Sequence, residues 1–423
     1  MNRRKFIFGA AGVGLASAFI LKPGDGGASY SPYFKGLNNE LVANGPYKPS
    51  LLIDLDKLDR NIDHLLHDMR KQLAYRVVTK SLPSPGLLDY TMKKSGTNKL
   101  MIFHQPFLSH IAERFPGTDT LMGKPMPVKS AAIFYEKFSN TSGFNPARQL
   151  QWLIDSRQRL TQYQDLAQQL HVKMRINLEI DVGLHRGGFQ EPAALNTLLD
   201  QILADPEHLE FAGIMGYDPH VVKLPKMIKS AETAYAESQS TYQGFLDLLK
   251  NNYPHIRMQS LCLNGAGSPT VALHKAKTVI NDMSAGSCLV KPTDFDIPTL
   301  QDFSPAAYIA TPVLKKYEFT SIPSIESFKG FFNWWDPNTR QSFFIYGGKW
   351  MATYESPQGL QDSGLYGSST NQQMVNGSKS IDLKVDDHIF LRPDQSEFVF
   401  LQFGDILAVR GGKIIDQWPI LNQ

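Results

Sequence analysis

Tyr75-Arg76-Val77-Val78-Thr79-Lys80 is a short run of aromatic and β-branched residues that ends on a lysine. Such a run reads as a buried strand with a charged residue leaving its C-terminal end. Leu58–Leu73 before it has helical spacing, and Lys99–Phe103 after it is the next short apolar run. The same alternation continues along the chain. Strands are predicted at Tyr75–Thr79, Lys99–Phe103, Thr118–Met122, Gln151–Ile154, Lys173–Glu179, Glu210–Met215, Arg257–Leu263 and Thr278–Asn281. Helical spacing falls at Leu58–Leu73, Gln105–Arg114, Arg157–Leu170, Pro192–Ala204 and Lys229–Asn251. Strand–helix alternation of this kind implies parallel βα units. Eight such strands fit a closed (β/α)8 barrel of the TIM type better than the alternative, an open doubly wound sheet.

Past residue 300 the helical periodicity fades. Gly, Pro, Asn and Ser separate short β-rich runs at Ala307–Val313, Gln341–Tyr346, His388–Leu391, Phe398–Phe403 and Ile406–Val409. Gly411-Gly412, between Ile406–Val409 and Lys413–Gln417, is a hairpin signal. The expected division is an export signal over 1–28, a barrel over 48–300 and a C-terminal all-β domain over 301–423. Leu51-Leu52-Ile53 fits either a bottom strand of the barrel or a strand of the β domain.

Composition agrees with a globular chain. Of 423 residues, 42% are hydrophobic and 20% charged, and 43 basic residues against 40 acidic ones leave a net charge of +3. No basic stripe marks a nucleic-acid surface. The two cysteines, Cys262 and Cys288, are too few for a disulfide framework; one bridge between them is the alternative to the favoured reading, free buried thiols.

The N-terminus carries an address. Met1-Asn2-Arg3-Arg4-Lys5 precedes an apolar run, Phe6–Leu21, and a breaker-rich stretch to Ser29. The run is shorter than the roughly 20 residues of a spanning helix. It reads as an export signal, and Arg3-Arg4-Lys5-Phe6-Ile7 resembles a twin-arginine signal. The expected location is periplasmic or exported, with membrane attachment only if the signal stays uncleaved.

Chemistry concentrates at strand C-termini, the face where (β/α)8 barrels carry their sites. Lys80 leaves an apolar strand, where a partly desolvated amine can bond an aldehyde. Asn264-Gly265-Ala266-Gly267-Ser268-Pro269-Thr270 is a small-residue turn that could gather an anion on backbone N–H groups and hydroxyls. It lacks the Gly-x-x-x-x-Gly-Lys spacing of a nucleoside triphosphate loop. Glu179–Phe189, with Asp181, His185 and Arg186, and Gly216-Tyr217-Asp218-Pro219-His220 add polar clusters at two more strand ends. Each element has an ordinary reading too: a solvated lysine, a plain turn, a polar loop. Their recurrence at equivalent strand ends favours one site, and an amine, an anion loop, an aromatic ring and an arginine are what a phosphate-bearing aldehyde cofactor requires.

Taken together, these residues resemble the alanine-racemase-like (fold type III) pyridoxal-phosphate enzymes, and within them the D-threonine aldolase and D-serine dehydratase branch. Arg76-Val77-Val78-Thr79-Lys80-Ser81 is similar to that branch's Arg-Pro-His-x-Lys-Thr element. Glu179-x-Asp181-x-Gly183-x-x-Arg186-x-Gly188, Gly213–His220 and Gly265–Thr270 are similar to three further elements, with Pro219 where glycine is usual. The resemblance covers roughly 48–300 and 385–420; residues 315–380 match no element of it. It implies pyridoxal 5'-phosphate held as an aldimine on Lys80. It places Arg186, Tyr217, Asn264, Gly265, Gly267, Ser268 and Thr270 as cofactor-binding residues, and implies a homodimer. In the branch a His-x-Asp or His-x-Cys pair binds a metal. Here Gln395 and Glu397 stand in those positions, so a divalent metal is left open, with His220 and His388 as other candidate ligands. His104 and Lys291 also lie close to strand ends and could face the site.

The leading expectation is an exported lyase of aldolase or dehydratase type, acting on a small amino-acid substrate of D configuration. Two alternatives stand beside it: an amino-acid racemase, and a non-catalytic pyridoxal-phosphate-binding protein. The region after 300 speaks against the second, because single-barrel carriers of that type lack a β domain.

Overall fold

The computed structural model describes residues 22–69, 73–139, 142–223, 227–275, 277–320, 334–364 and 366–421. The N-terminal run read as the core of an export signal lies outside them. The chain forms two compact units. One takes the described residues up to Leu52, Ala307–Asp394 and Leu407–Asp416; the other takes Ile53–Ala306, Gln395–Ile406 and the chain from Gln417 onward. The β-rich unit therefore draws on sequence at both ends of the barrel.

The first strand, β1 (Ser50–Asp54), ends on a residue that also starts a helix: the Asp54 carboxylate accepts from the Lys57 N–H at 3.0 Å and caps Leu55–Asp68. The strands that follow are β2 (Ala74–Val78), β3 (Lys99–Ile102), β4 (Asp119–Met122), β5 (Leu150–Ile154), β6 (Met174–Glu179), β7 (Leu209–Gly216), β8 (Cys262–Gly265) and β9 (Asp282–Ala285). They run parallel in chain order and close, β9 returning to β2 with Ala74 opposite Asp282. The closed eight-stranded barrel is the expected one.

Local chemistry starts the intervening helices. Ser84, Ser156 and Ser230 cap Pro85–Ser95, Arg157–Leu170 and Ala231–Asn252, each hydroxyl accepting a first-turn N–H. Arg157–Leu170 turns Leu160, Tyr163, Leu166 and Ala167 inward, where Tyr163 meets the buried Trp152 of β5. Part of the barrel interior is polar instead. Fully buried Arg76 donates to both oxygens of Asp282 at 2.8 and 2.9 Å and to Asp119 at 3.1 Å. A planar guanidinium bonded in this bidentate way satisfies charge that would otherwise be costly to bury.

Two strands are displaced from the sequence reading. The run Arg257–Leu263 holds a 3-10 turn at Met258–Ser260, and its strand is Cys262–Gly265. The last strand is Asp282–Ala285 and not Thr278–Asn281. In both cases polar side chains, Asn264, Asp282 and Ser284, face the barrel interior and bond one another at 2.6 and 2.8 Å. Strands of this kind carry no apolar run to mark them.

In the β-rich unit β1 joins eight later strands: β10 (Ala307–Tyr317), β11 (Gln341–Tyr346), β12 (Ala352–Ser356), β13 (Gln361–Asp362), β14 (Gln372–Gly377), β15 (His388–Pro393), β16 (Ile406–Arg410) and β17 (Lys413–Trp418). Leu51-Leu52 thus lies in the β sheet, between β10 and β16. The sheet order is β13-β14-β11-β10-β1-β16-β17, with β15 pairing β10 and β12. Residues 315–380, which matched no motif, supply β11 to β14. Gly411 and Gly412, at φ 55° and 73°, make the expected hairpin turn between β16 and β17. Helix Pro32–Asn44 lays Phe34, Leu37 and Leu41 on Leu52, Tyr308, Phe390 and Leu407. Gly26 and Ala28 also donate backbone N–H bonds within this unit, to Asn338 and Gln358. The strand expected at Phe398–Phe403 is instead a short helix, Glu397–Phe400, which buries Val399 and Phe400 and exposes Phe398. Short apolar runs do not separate strand from helix. Among the described residues no helix is long and apolar enough to cross a membrane.

Candidate active site

At the C-terminal ends of the barrel strands a cavity opens. Lys80 enters it from the turn Thr79–Ser81, directly after β2. Thr79 fixes that turn by donating its hydroxyl to the Met101 carbonyl at 2.9 Å. The Lys80 Nζ lies 2.5 Å from Glu397 Oε1 and 4.5 Å from the centre of the Phe103 ring. Phe103 follows β3 as Lys80 follows β2, a positional signal present in the sequence that no motif marks.

Tyr217, directly after β7, presents its ring to the same cavity, and the Arg186 guanidinium sits 4.9 Å over that ring. Burial pushes the Tyr217 hydroxyl's pKa up, against the pull of Arg186. The ring packs against Gly267 so closely that a Cβ there would overlap it.

The small-residue loop forms the floor. Ala266 takes the left-handed conformation at φ 63°. The Ser268 hydroxyl accepts from the N–H groups of Gly286 at 3.2 Å and Cys288 at 3.0 Å, which ties the loop to the end of β9. Ser287 Oγ lies 2.9 Å from Ser81 Oγ and 3.2 Å from Ser396 Oγ, so three hydroxyls gather beside Lys80.

Of the residues expected at the site, Lys80, Arg186, Tyr217, Asn264, Gly267 and Ser268 line the cavity. Asn264 also anchors β8, its amide donating to Asp282 and Ser284. Gly265 and Thr270 do not line it. A Cβ at Gly265 would press on Ile280, and the fully buried Thr270 hydroxyl turns away to Asp218 at 2.7 Å. The cluster after β6 divides similarly: Arg186 reaches the cavity, whereas Asp181 closes its own loop by accepting from the N–H groups of Gly183 and His185. Burial, reinforced by Asp155 and Asp181 and opposed by Arg186, pushes the Glu179 carboxyl up to about 7.

The candidate metal ligands go elsewhere. Gln395 donates to Asp294 at 2.9 Å, and Glu397 faces Lys80. His388 is buried in the β sheet, where burial lowers its pKa to about 4, and the His220 ring lies beside Gly183. Among the described residues no group of three or more His, Cys, Asp or Glu is placed to hold a metal ion. Lys291 is also accounted for elsewhere, its Nζ donating to the Phe303 carbonyl at 2.7 Å, and His104, at the start of the helix Gln105–Arg114, packs its ring on Phe107. Cys288 is a free thiol pushed up to about 12 by burial.

A second cavity shares Arg186, Tyr217, Ser287 and Glu397 with the first and adds Lys223 and Asp294. An amine, an aromatic face, a guanidinium and a hydroxyl-rich loop thus border space for a small ligand. This donor set suits a planar aldehyde bearing a phosphate.

A family model described as alanine racemase, N-terminal domain, matches residues 53–293. Among solved structures, D-threonine aldolase from Filomicrobium marinum is 15% identical with a TM-score of 0.66, over 88% of this chain and 96% of that one. D-threo-3-hydroxyaspartate dehydratase from Delftia sp. HT23 is 13% identical with a TM-score of 0.67, over 91% and 99%. Alanine racemase from Bacillus anthracis with bound L-Ala-P is 12% identical with a TM-score of 0.66, over 88% and 97%. No curated protein matches by sequence.

Proposed function

Because the chain belongs to the alanine racemase N-terminal-domain family, we propose that it is a pyridoxal-phosphate-dependent enzyme acting on an amino acid, with Lys80 holding the cofactor. The observation that carries this reading is the Lys80 amine, set in one cavity with the Tyr217 ring and the Ser268 loop. The cofactor supplies a ring that takes up the charge left at Cα when a bond there breaks.

The chain's own residues do the rest. Lys80 Nζ is the covalent attachment point, and once released it is the base that carries a proton to and from one face of Cα. Ser268 and Ser287 offer hydroxyls to the phosphate, and Tyr217 offers its ring edge and face. Arg186 supplies fixed positive charge beside the ring. Glu397 pairs the Lys80 ammonium before the cofactor arrives. Phe103 and Phe295 present apolar walls to the cavity.

Within this class we favour a lyase, of aldolase or dehydratase type, on a D-amino acid. Two of the structures with this fold are named for activities on D-threonine and D-threo-3-hydroxyaspartate. A racemase is the second reading, favoured by the engagement of Gln395 and Glu397 with Asp294 and Lys80. The resemblance supports a homodimer. Arg3-Arg4 and the apolar run that follows support export.

Two measurements test the reading. Incubation with pyridoxal phosphate should yield a visible band that borohydride abolishes, with the added mass on the peptide containing Lys80; Lys80→Ala should show neither. A chain that takes up no cofactor refutes it. Products from single D- and L-amino acids then separate the classes: keto acid with ammonia for a dehydratase, glycine with aldehyde for an aldolase, the mirror isomer for a racemase. Loading without turnover of any amino acid would leave a carrier.

A further inference from the structure

Behind the loop floor lies a buried polar cluster that touches neither cavity. Asp218, Thr270 and His274 are 1%, 0% and 1% exposed. Asp218 Oδ1 accepts the Thr270 hydroxyl at 2.7 Å, and Oδ2 lies 3.0 Å from His274 Nε2. The second ring nitrogen, Nδ1, faces the hydroxyls of Thr278 at 2.9 Å and Tyr235 at 3.3 Å. The Tyr235 hydroxyl donates to the Lys277 carbonyl at 2.7 Å and the Thr278 hydroxyl to Gln239 at 3.3 Å, while the Asp218 carboxylate, which only accepts, takes an N–H from His274 Nε2.

The cluster joins two parts of the site. Asp218 is the chain neighbour of Tyr217, and Thr270 closes the small-residue loop. Thr270 N–H donates to the Gly267 carbonyl at 2.9 Å, and the Gly267 N–H donates to Thr270 Oγ1 at 3.2 Å. Gly267 in turn packs on the Tyr217 ring with no room for a Cβ. The contacts form a closed circuit from Tyr217 through Asp218, Thr270 and Gly267 back to the ring. Neither Thr270 nor the Gly267 N–H reaches into the cavity, because each is used inside the circuit.

We propose that Asp218, Thr270 and His274 are positioning residues that clamp the anion-binding loop against the Tyr217 strand end, so that Ser268 and the ring meet a phosphate-bearing ligand without rearrangement. The proposal rests on the pyridoxal-phosphate reading above. Asp218 has one donor on each oxygen, so removing either leaves a buried acceptor unmet and weakens the hold on the loop. The clamp acts on the phosphate end of the ligand and not on the Lys80 end.

The test compares two ligands by equilibrium dialysis: pyridoxal phosphate, and pyridoxal, which lacks the phosphate. Thr270→Val keeps the shape and removes the hydroxyl. It should weaken pyridoxal phosphate by about tenfold or more, the scale of a lost hydrogen bond to a charged group, and leave pyridoxal unchanged. Thr270→Ser should restore binding. Should Thr270→Val not fold, His274→Gln, which keeps an N–H toward Asp218, is set against His274→Met, which lacks one; only the second should lose phosphate-dependent affinity. Parent-like binding by Thr270→Val, or equal losses for both ligands, would overturn the clamp. If the parent chain itself binds neither ligand, the pyridoxal-phosphate reading fails and the clamp falls with it.

Discussion

Replacing Glu179 by Gln should make the barrel more stable at alkaline pH, although the two side chains have nearly the same shape. Glu179 ends β6, where burial and the nearby Asp155 and Asp181 charges outweigh Arg186 and raise its carboxyl from 4.5 to about 7. The unfolded chain releases that proton near 4.5, and the folded chain holds it to about 7. Between those values the folded state binds more protons, so stability falls as pH rises. At 1.36 kcal/mol for each pH unit, the loss complete by about pH 8 is on the order of 3 kcal/mol. Gln carries no charge, so Glu179→Gln should match the parent near pH 4 and exceed it by about that amount at pH 8. The assay is urea unfolding followed by the helical circular dichroism signal, since most helices belong to the barrel unit. Parallel pH dependence in the two proteins, or a variant less stable than the parent at pH 8, would refute the reasoning.

Two further outcomes follow from the barrel. Burial pushes the Asp119 carboxyl up, but the charges of Arg76 and Lys99 outweigh it and hold it at about 2, below its ordinary 3.8. Its contribution, roughly 2 kcal/mol, is present above pH 4 and lost as pH falls toward 2; Asp119→Asn should flatten that acid limb in the same urea assay. Gly213, at φ 151° inside β7, has the Cys262 carbonyl where a Cβ would stand. Gly213→Ala should cost about 3 kcal/mol or more, read as a drop in the urea midpoint; an unchanged midpoint would show that β7 and β8 part freely.

Period and punctuation carried much of the fold. The first six barrel strands fall within a residue or so of their sequence positions because their apolar runs face the barrel walls and the helices around it. The last two slid because Asn264, Asp282 and Ser284 turn polar side chains inward, and only a closed barrel gives those groups partners. Lys80 was legible only together with the small-residue loop and the polar clusters at other strand ends, because a strand-end lysine by itself is ordinarily a solvated one. Glu397 was read as a candidate metal ligand, but its pairing with Lys80 was not legible, since the two lie more than 300 residues apart in sequence and meet only after folding.

The amino-acid sequence by itself determined the alternation that makes a (β/α)8 barrel, the glycine turn of the hairpin and the strand ends where the chemistry lies. These are local properties, set by period two, period 3.6 and backbone freedom. Tertiary structure alone decided which polar residues face the cavity. Ser268 and Thr270 are two residues apart in one loop, yet one hydroxyl lines the cavity and the other is spent on Asp218. Spacing cannot separate them, because their partners lie just after β7 and β9, and hydrogen bonds between distant segments exist only once the barrel has closed.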